Sequence, residues 1–381
     1  MLYRRKRFGI TPSGTALIWF DPRVDPATGQ PYELGFDQLV LDAGTGTELG
    51  RLATGGLPTG LDNLMPFIYR LHMNLALGPV GSWILGITAL VWTIDCFVAF
   101  YLTLPARRSG SLSLWERVRV KARAVKGIFH FHKSGAIFHS LAPARSQRER
   151  GNRTSADRSF WQRWKPAWKV KWTASGYRIN FDLHRAGGLW LWIMLLVFAW
   201  SSVGFNLHQE VYQPVMGLFF DFPTENEPAE REPLPNAVPL GWIEAQATAE
   251  RLMREQAERY GFTIEKPVAL YRQPERARYH YRVKSSLDVG YAATAVHFDL
   301  YSGRLLDVYL PTGHHSGHTA TTWLSALHEA KVFGLPYRIF VCLLGLAIVM
   351  LSVTGVVIWL RKRRARRLRS KSTDVAWTNA R

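Results

Sequence analysis

The pattern of apolar and polar positions divides this chain into segregated pieces. Residues 80–104 are apolar apart from Asp95, and residues 186–207 and 339–360 carry no charge at all. A helix rises about 1.5 Å per residue, so about 20 apolar residues cross a hydrocarbon core of about 30 Å. The three stretches predict three membrane-spanning helices, and their occurrence together argues against buried helices of a soluble protein. Between them the pattern shortens. Residues 242–260 place Ile243, Ala247, Met253, Ala257 and Tyr260 on one face at 100° per residue, which predicts a helix. Residues 268–272, 278–284, 292–300 and 305–310 predict strands, the last two joined by a turn at Ser302-Gly303. Residues 206–331 therefore read as one small α+β domain, entered through an extended Pro- and Glu-rich linker at 222–239. Residues 1–65 read as short strands, 15–20 and 36–41, separated by turns.

Two of the turns resemble each other. Asp42-Ala43-Gly44-Thr45-Gly46 parallels Asp299-Leu300-Tyr301-Ser302-Gly303, and each leads into a strand. One such turn is a generic hairpin signal. Two of them suggest two copies of one module, the first cut short at its start.

Charge then orients the spans. The chain carries 48 Lys+Arg against 29 Asp+Glu, a net charge of +19. Residues 105–178 hold 18 of the basic residues against three acids, and residues 361–371 hold eight more. Residues 206–331 hold 12 basic and 16 acidic residues. Cytoplasmic loops carry the Lys/Arg excess, so 105–178 and the C-terminal tail lie inside and 206–331 lies outside. The excess is an orientation signal in contact with anionic lipid headgroups rather than a nucleic-acid surface. The same arithmetic puts residues 1–65 outside, although nothing ahead of them would carry them across. Either an upstream helix is missing from the reading frame, which is the favoured expectation, or the first span inserts and drags a short tail across.

The chemistry sits in the twelve histidines. His72 precedes the first span and His328 the third, each followed six residues later by a glycine, Gly78 or Gly334. Both spans enter from the outside, so both imidazoles lie at the same depth near the outer face. Paired imidazoles at matched depth suit bis-histidine haem ligation, and Gly78, Gly81, Gly86, Gly187, Gly188, Gly334 and Gly345 would leave room for the macrocycle. The alternative is interfacial histidines at helix ends, with the glycines serving helix packing. His184 precedes the second span near the inner face. It would suit an inner haem, with His130, His132 and His139 of the basic loop as candidate partners only if that loop folds back. His314, His315 and His318 form a compact outer cluster that could bind a metal such as iron, within a Gly/Ser/Thr-rich stretch that reads as a mobile loop. Asp95, the one charge inside a span, is either functional or paired with a neighbouring helix. Trp190, Trp192 and Trp200 would line a haem pocket or simply pack. Cys96 and Cys342 lie at unequal depths, which argues against a disulfide and leaves them as small apolar packers. No nucleophile triad, phosphate loop or nicotinamide fingerprint is present.

These residues, the Trp92-Thr93-Ile94-Asp95-Cys96-Phe97 run, Asp182-Leu183-His184-Arg185 and Val353-Thr354-Gly355-Val356-Val357-Ile358-Trp359 together resemble the PepSY-associated transmembrane family. The resemblance covers nearly the whole chain from about Thr15 to Arg363, and the outer α+β domain resembles a PepSY module. It implies an α-helical transmembrane bundle of four spans, three of them here, with periplasmic α+β PepSY-like domains, in the bacterial inner membrane. It implies haem b, with His72 and His328 as outer ligands and His184 as an inner one. Several family members are linked to iron uptake as ferrisiderophore reductases, which would make a ferric siderophore the substrate and leave the electron donor open. The competing readings are a membrane-anchored PepSY module that binds peptides or regulatory partners without catalysis, and a truncated, inactive family member.

Overall fold

The computed structural model describes residues 3–10, 15–105, 159–223 and 237–378, apart from 33, 43 and 59. Within them lie two four-stranded antiparallel sheets, each a simple meander. The first runs β1 (Tyr3–Ile10), β2 (Thr15–Pro22), β3 (Gln38–Asp42) and β4 (Glu48–Leu52). It is followed by α1 (Leu64–Asn74), the long α2 (Gly78–Thr103) and the long α3 (Gly176–Asn206). After α4 (Trp242–Tyr260) the second sheet runs β5 (Ile264–Gln273), β6 (Arg278–Ser285), β7 (Ala295–Asp299) and β8 (Leu305–Tyr309), and α5 (Ser316–His328) and α6 (Gly334–Thr378) close the chain. The basic strand β1, which the apolar pattern does not signal, pairs along its length with β2 and lies against β5.

Among the described residues three helices are long and apolar enough to cross a membrane: Gly78–Thr103, Gly176–Asn206 and Gly334–Arg367. Two extend beyond the apolar stretches that predict them. The start of α3 lies ten residues ahead of its apolar run, because Asp182 is buried between Arg178 and Arg185 at 3.0 and 2.9 Å and the charges of that turn neutralise one another. The end of α6 continues through the Arg/Lys cluster, since Arg and Lys are good helix formers and no Gly or Pro follows Gly355 within the helix. The described chain divides into two compact units, Met1–Asp95 with Ile193–Leu344 and Cys96–Trp192 with Gly345–Arg381.

The core of the first unit lies where α4 covers the second sheet. Tyr279, Tyr281 and Val283 alternate inward along β6 and meet Val296 and Phe298 of β7, Ala245, Ala249, Leu252 and Met253 of α4, and Phe262. Of the face expected of α4, Met253 is buried and Ala257 and Tyr260 pack against the core, but Ile243 is 90% exposed and Ala247 is exposed too. Ala245 and Ala249 face the sheet instead, their small side chains admitting Tyr279 and Phe298, which stack at 5.2 Å between ring centroids. Neither cysteine forms a disulfide; Cys96 is buried as expected, but Cys342 is exposed on its helix rather than packed.

The two sheets repeat one another in detail. Asp42 Oδ1 accepts from the backbone N–H groups of Gly44 and Thr45 and from Thr45 Oγ1. Asp299 Oδ1 accepts from those of Tyr301 and Ser302 and from Ser302 Oγ. Gly46 and Gly303 then take φ of +70° and +68°, a left-handed conformation that favours glycine. The hairpins bulge at equivalent places, Val40/Leu41 in β3 and His297/Phe298 in β7. A shared turn, bulge and strand order support the duplicated module read from the two turn sequences.

The Asp299 turn is the buried one. Asp299→Ala leaves its two backbone donors and one hydroxyl without their acceptor, and is expected to cost about 1–3 kcal/mol. Urea unfolding of the detergent-solubilised protein, followed by tryptophan fluorescence, measures this; Asp42→Ala, at a less buried turn, is expected to cost less.

Candidate functional site

The duplicated module ends each time in the same backbone device. Helix α1 stops at Asn74, and Leu75 and Ala76 both take φ of +56° before Gly78, at +60°, begins α2. Helix α5 stops at His328, and Ala330 and Phe333 take φ of +53° and +57° before Gly334, at +65°, begins α6. Left-handed non-glycine residues cost about 1–3 kcal/mol each and persist where their surroundings hold them. Here they break the helix between a short segment and a long one. Gly78 and Gly334 thus serve the break itself, and the space beside each is open. Close approach falls to other glycines: a Cβ on Gly86 would lie 2.5 Å from Leu207, and one on Gly187 3.3 Å from Met350, whereas Gly188 and Gly345 face open space.

The consequence of the device is that a histidine stands at the end of each short helix. The rings of His72 and His328 lie 6.2 Å apart between centroids, at 54° to each other. Two imidazoles on opposite sides of one metal ion, each with a metal–nitrogen distance of about 2 Å, have ring centroids about 6 Å apart. The pair brought together by the fold is therefore the pair read from the sequence, at a spacing a shared metal would accept.

Three residues of α3 build the rest of the His328 environment. Phe198 stacks on the ring at 4.6 Å, Phe205 meets it edge-on at 5.1 Å, and Ser201 Oγ lies 2.7 Å from its Nδ1. Burial, reinforced by His72 as a like charge, lowers the His328 pKa from 6.5 to about 4. The imidazole is thus neutral at physiological pH, the state in which it can ligate a metal. Ser201, Phe198 and Phe205 carry no signal in the sequence, because a serine and two phenylalanines within an apolar span look like ordinary helix packing.

His184 sits apart from that pair in sequence and in setting. Its Nδ1 lies 3.0 Å from both Leu351 O and Thr354 Oγ1, and its Cε1 lies 3.1 Å from where a Cβ on Gly355 would stand. Among the described residues no second ring faces it. His130, His132 and His139, its candidate partners, lie outside the described residues. Asp182 and Arg185 of the same motif are structural: Arg185 bonds Asp182, Ala167 O and Pro166 O, which ties α3 to the 166–168 segment.

The outer histidine cluster lies at the start of α5, with His315 as its N-cap, and not in an irregular loop. His314 and His315 are 4.4 Å apart between centroids, and His315 and His318 5.6 Å. The rings turn to different neighbours: His315 Nδ1 to Asp221 at 2.9 Å, His314 to Tyr260, and His318 to Tyr309 and Phe222. Burial, and then His315, hold the His318 imidazole below its ordinary pKa. Among the described residues no group of three or more His, Cys, Asp or Glu side chains is placed to hold a metal ion. His314, His315 and His318 therefore do not form the three-ligand set expected of them, since each ring is oriented by a separate neighbour. Asp95 is exposed on α2, with no hydrogen bond or ion pair among the described residues. The indoles of Trp190, Trp192 and Trp200 donate to Trp168 O, Cys96 O and Met216 Sδ, which makes them packing residues.

Paired histidines at the ends of short helices, each leading into a spanning helix after a sheet with a matched turn, describe a membrane-embedded repeat. The model of the family described as PepSY-associated TM region matches residues 9–142 and 158–362. The chain belongs to this family. The match takes in β2, β3 and β4 of the first sheet but only the end of β1, the second sheet, α2 and α3, and α6 as far as Lys362. A search of curated proteins finds no match.

The low pKa of His328 makes a pH prediction. The unfolded chain binds a proton at this position near pH 6.5 and the folded chain only near pH 4, so stability falls as pH is lowered through that window and levels off below it. A denaturation series from pH 7 to pH 4 is expected to show this slope in the wild type and a flatter profile in His328→Asn.

Proposed function

We propose that the protein is a haem-bearing membrane protein that passes electrons to a ferric chelate, in which His72 and His328 would hold a b-type haem. The observation that carries this reading is the 6.2 Å separation of the two imidazoles. Their supports fit the group: the low pKa keeps His328 neutral, and Phe198 and Phe205 give it an apolar wall. When bound, haem supplies one-electron redox chemistry at iron. The chain's own work is to hold two neutral nitrogens at a fixed separation, to keep water away from His328, and to set the ring orientation through α3. His184 would serve an inner site in the same way, its Nδ1 already committed and its other nitrogen available.

The charge pattern supports an orientation in the bacterial inner membrane with the basic segments inside, against anionic lipid headgroups, and the sheets in the periplasm. On that orientation the His72–His328 pair faces the periplasmic side. The substrate would be a ferric siderophore or similar chelate. Its hard oxygen ligands hold Fe³⁺ tightly and Fe²⁺ weakly, so one-electron reduction releases the iron.

The test is a dithionite-reduced minus oxidised spectrum of the purified protein beside His72→Ala and His328→Ala. The expected result is a sharp b-type band that is lost or strongly diminished in both variants. A folded wild-type protein with no such band overturns the haem reading and favours a non-catalytic binding module.

A further inference from the structure

Resting on the reading of His328 as a haem ligand, we infer that Ser201 is a positioning residue that locks His328 in one tautomer and so presents Nε2 to the iron. A neutral imidazole carries one proton, and the nitrogen that holds it cannot bind a metal. The other nitrogen's hydrogen bond decides which one that is.

The hydrogen-bond inventory around Ser201 makes the decision. Its Oγ lies 2.7 Å from Val197 O, 3.2 Å from Phe198 O and 2.7 Å from His328 Nδ1. A hydroxyl has one proton, and a carbonyl oxygen can only accept. Two oxygens 2.7 Å apart with no proton between them would repel. The hydroxyl proton therefore points to Val197 O, in the back-bonding geometry common for serine in an apolar helix. The Oγ lone pair that remains faces Nδ1, which must donate. His328 is thus the Nδ1–H tautomer, with Nε2 unprotonated. Phe198, one turn before Ser201 on α3, stacks on the same ring and fixes its plane.

His184 shows the same arrangement by a separate route. Its Nδ1 lies 3.0 Å from Leu351 O, an acceptor only, and 3.0 Å from Thr354 Oγ1. The Thr354 hydroxyl is itself 2.8 Å from Met350 O. His184 must donate from Nδ1, which again leaves Nε2 free. In each case a hydroxyl whose proton goes to a carbonyl of its own helix lies beside the histidine Nδ1, and among the described residues no hydroxyl bonds His72.

Loss of such an outer partner lowers metal affinity about 10–100-fold. The experiment uses the full chain, ¹⁵N-labelled at histidine, in detergent. Long-range proton–nitrogen couplings of the haem-free protein report each tautomer, and the His328 signals are those missing from His328→Asn. The expected result is Nδ1–H in the wild type, loss of that preference in Ser201→Ala, and its return in Ser201→Thr. With haem added, Ser201→Ala is expected to retain the b-type band with about 10–100-fold weaker binding. A ligand without its acceptor is a poorer donor to Fe³⁺, so the midpoint potential is expected to rise. Each tenfold excess loss of ferric over ferrous affinity reads as about 59 mV.

A wild type in the Nε2–H tautomer overturns the lock. So does a Ser201→Ala variant whose tautomer, haem affinity and potential all match the wild type. A wild type whose Nδ1–H tautomer depends on Ser201 but which takes up no haem when haem is added upholds the lock and overturns the haem reading, so the two failures are told apart.

Discussion

Hydrocarbon offers no hydrogen bonds, so every polar group placed in it must find a partner inside the protein. The long helices satisfy their backbones by being helices, and their hydroxyls satisfy themselves: Thr93 bonds Ala89 O, Ser201 bonds Val197 O, and Thr354 bonds Met350 O. That rule has a consequence for the histidines. A hydroxyl whose proton is committed to its own helix has only lone pairs to offer a neighbour. Ser201 and Thr354 are in this state, and each lies 2.7–3.0 Å from a histidine Nδ1. The solvent constraint that shapes the spans thus also sets which nitrogen each ring exposes.

The second determinant is where the spans begin. Each sheet is followed by a short helix, a left-handed break and a glycine that opens a long helix. The break separates the short helix from the long one, and the last turn of the short helix carries the histidine. The duplicated module turns one local solution into two, and two histidines carried by equivalent short helices become a pair. Matched Asp turns and matched bulges in the two sheets show that the repeat extends well beyond the histidines themselves.

Much of this was legible in the chain. The apolar stretches marked the three long helices, because composition alone decides membrane insertion over some 20 residues. The strands of the second sheet and the extent of Trp242–Tyr260 followed from periodicity. The paired histidines and the paired Asp turns could be found by comparing one half of the chain with the other. Other readings failed for identifiable reasons. Strand β1 is too basic to show an apolar alternation and exists because β2 pairs with it. On α4 the expected face holds at Met253, Ala257 and Tyr260 but fails at its first turns, where Ala245 and Ala249 join the Tyr279–Phe298 core in place of Ile243 and Ala247. The outer His cluster looked like a ligand set because its spacing is compact, but each ring is turned to a different neighbour.

The sequence by itself determined what each segment must be: apolar runs long enough to span, turns that need an Asp and a glycine, and histidines at two equivalent positions. These are properties of short windows, governed by solvent and local backbone geometry. Only the tertiary structure decided which side chains meet. The 6.2 Å between His72 and His328, and the placement of Ser201, Phe198 and Phe205 around one imidazole, join segments of α1, α3 and α5 far apart in the chain. No window contains them together. A ring's tautomer and its usefulness as a ligand depend on such neighbours, because a proton sits wherever the surrounding acceptors leave it.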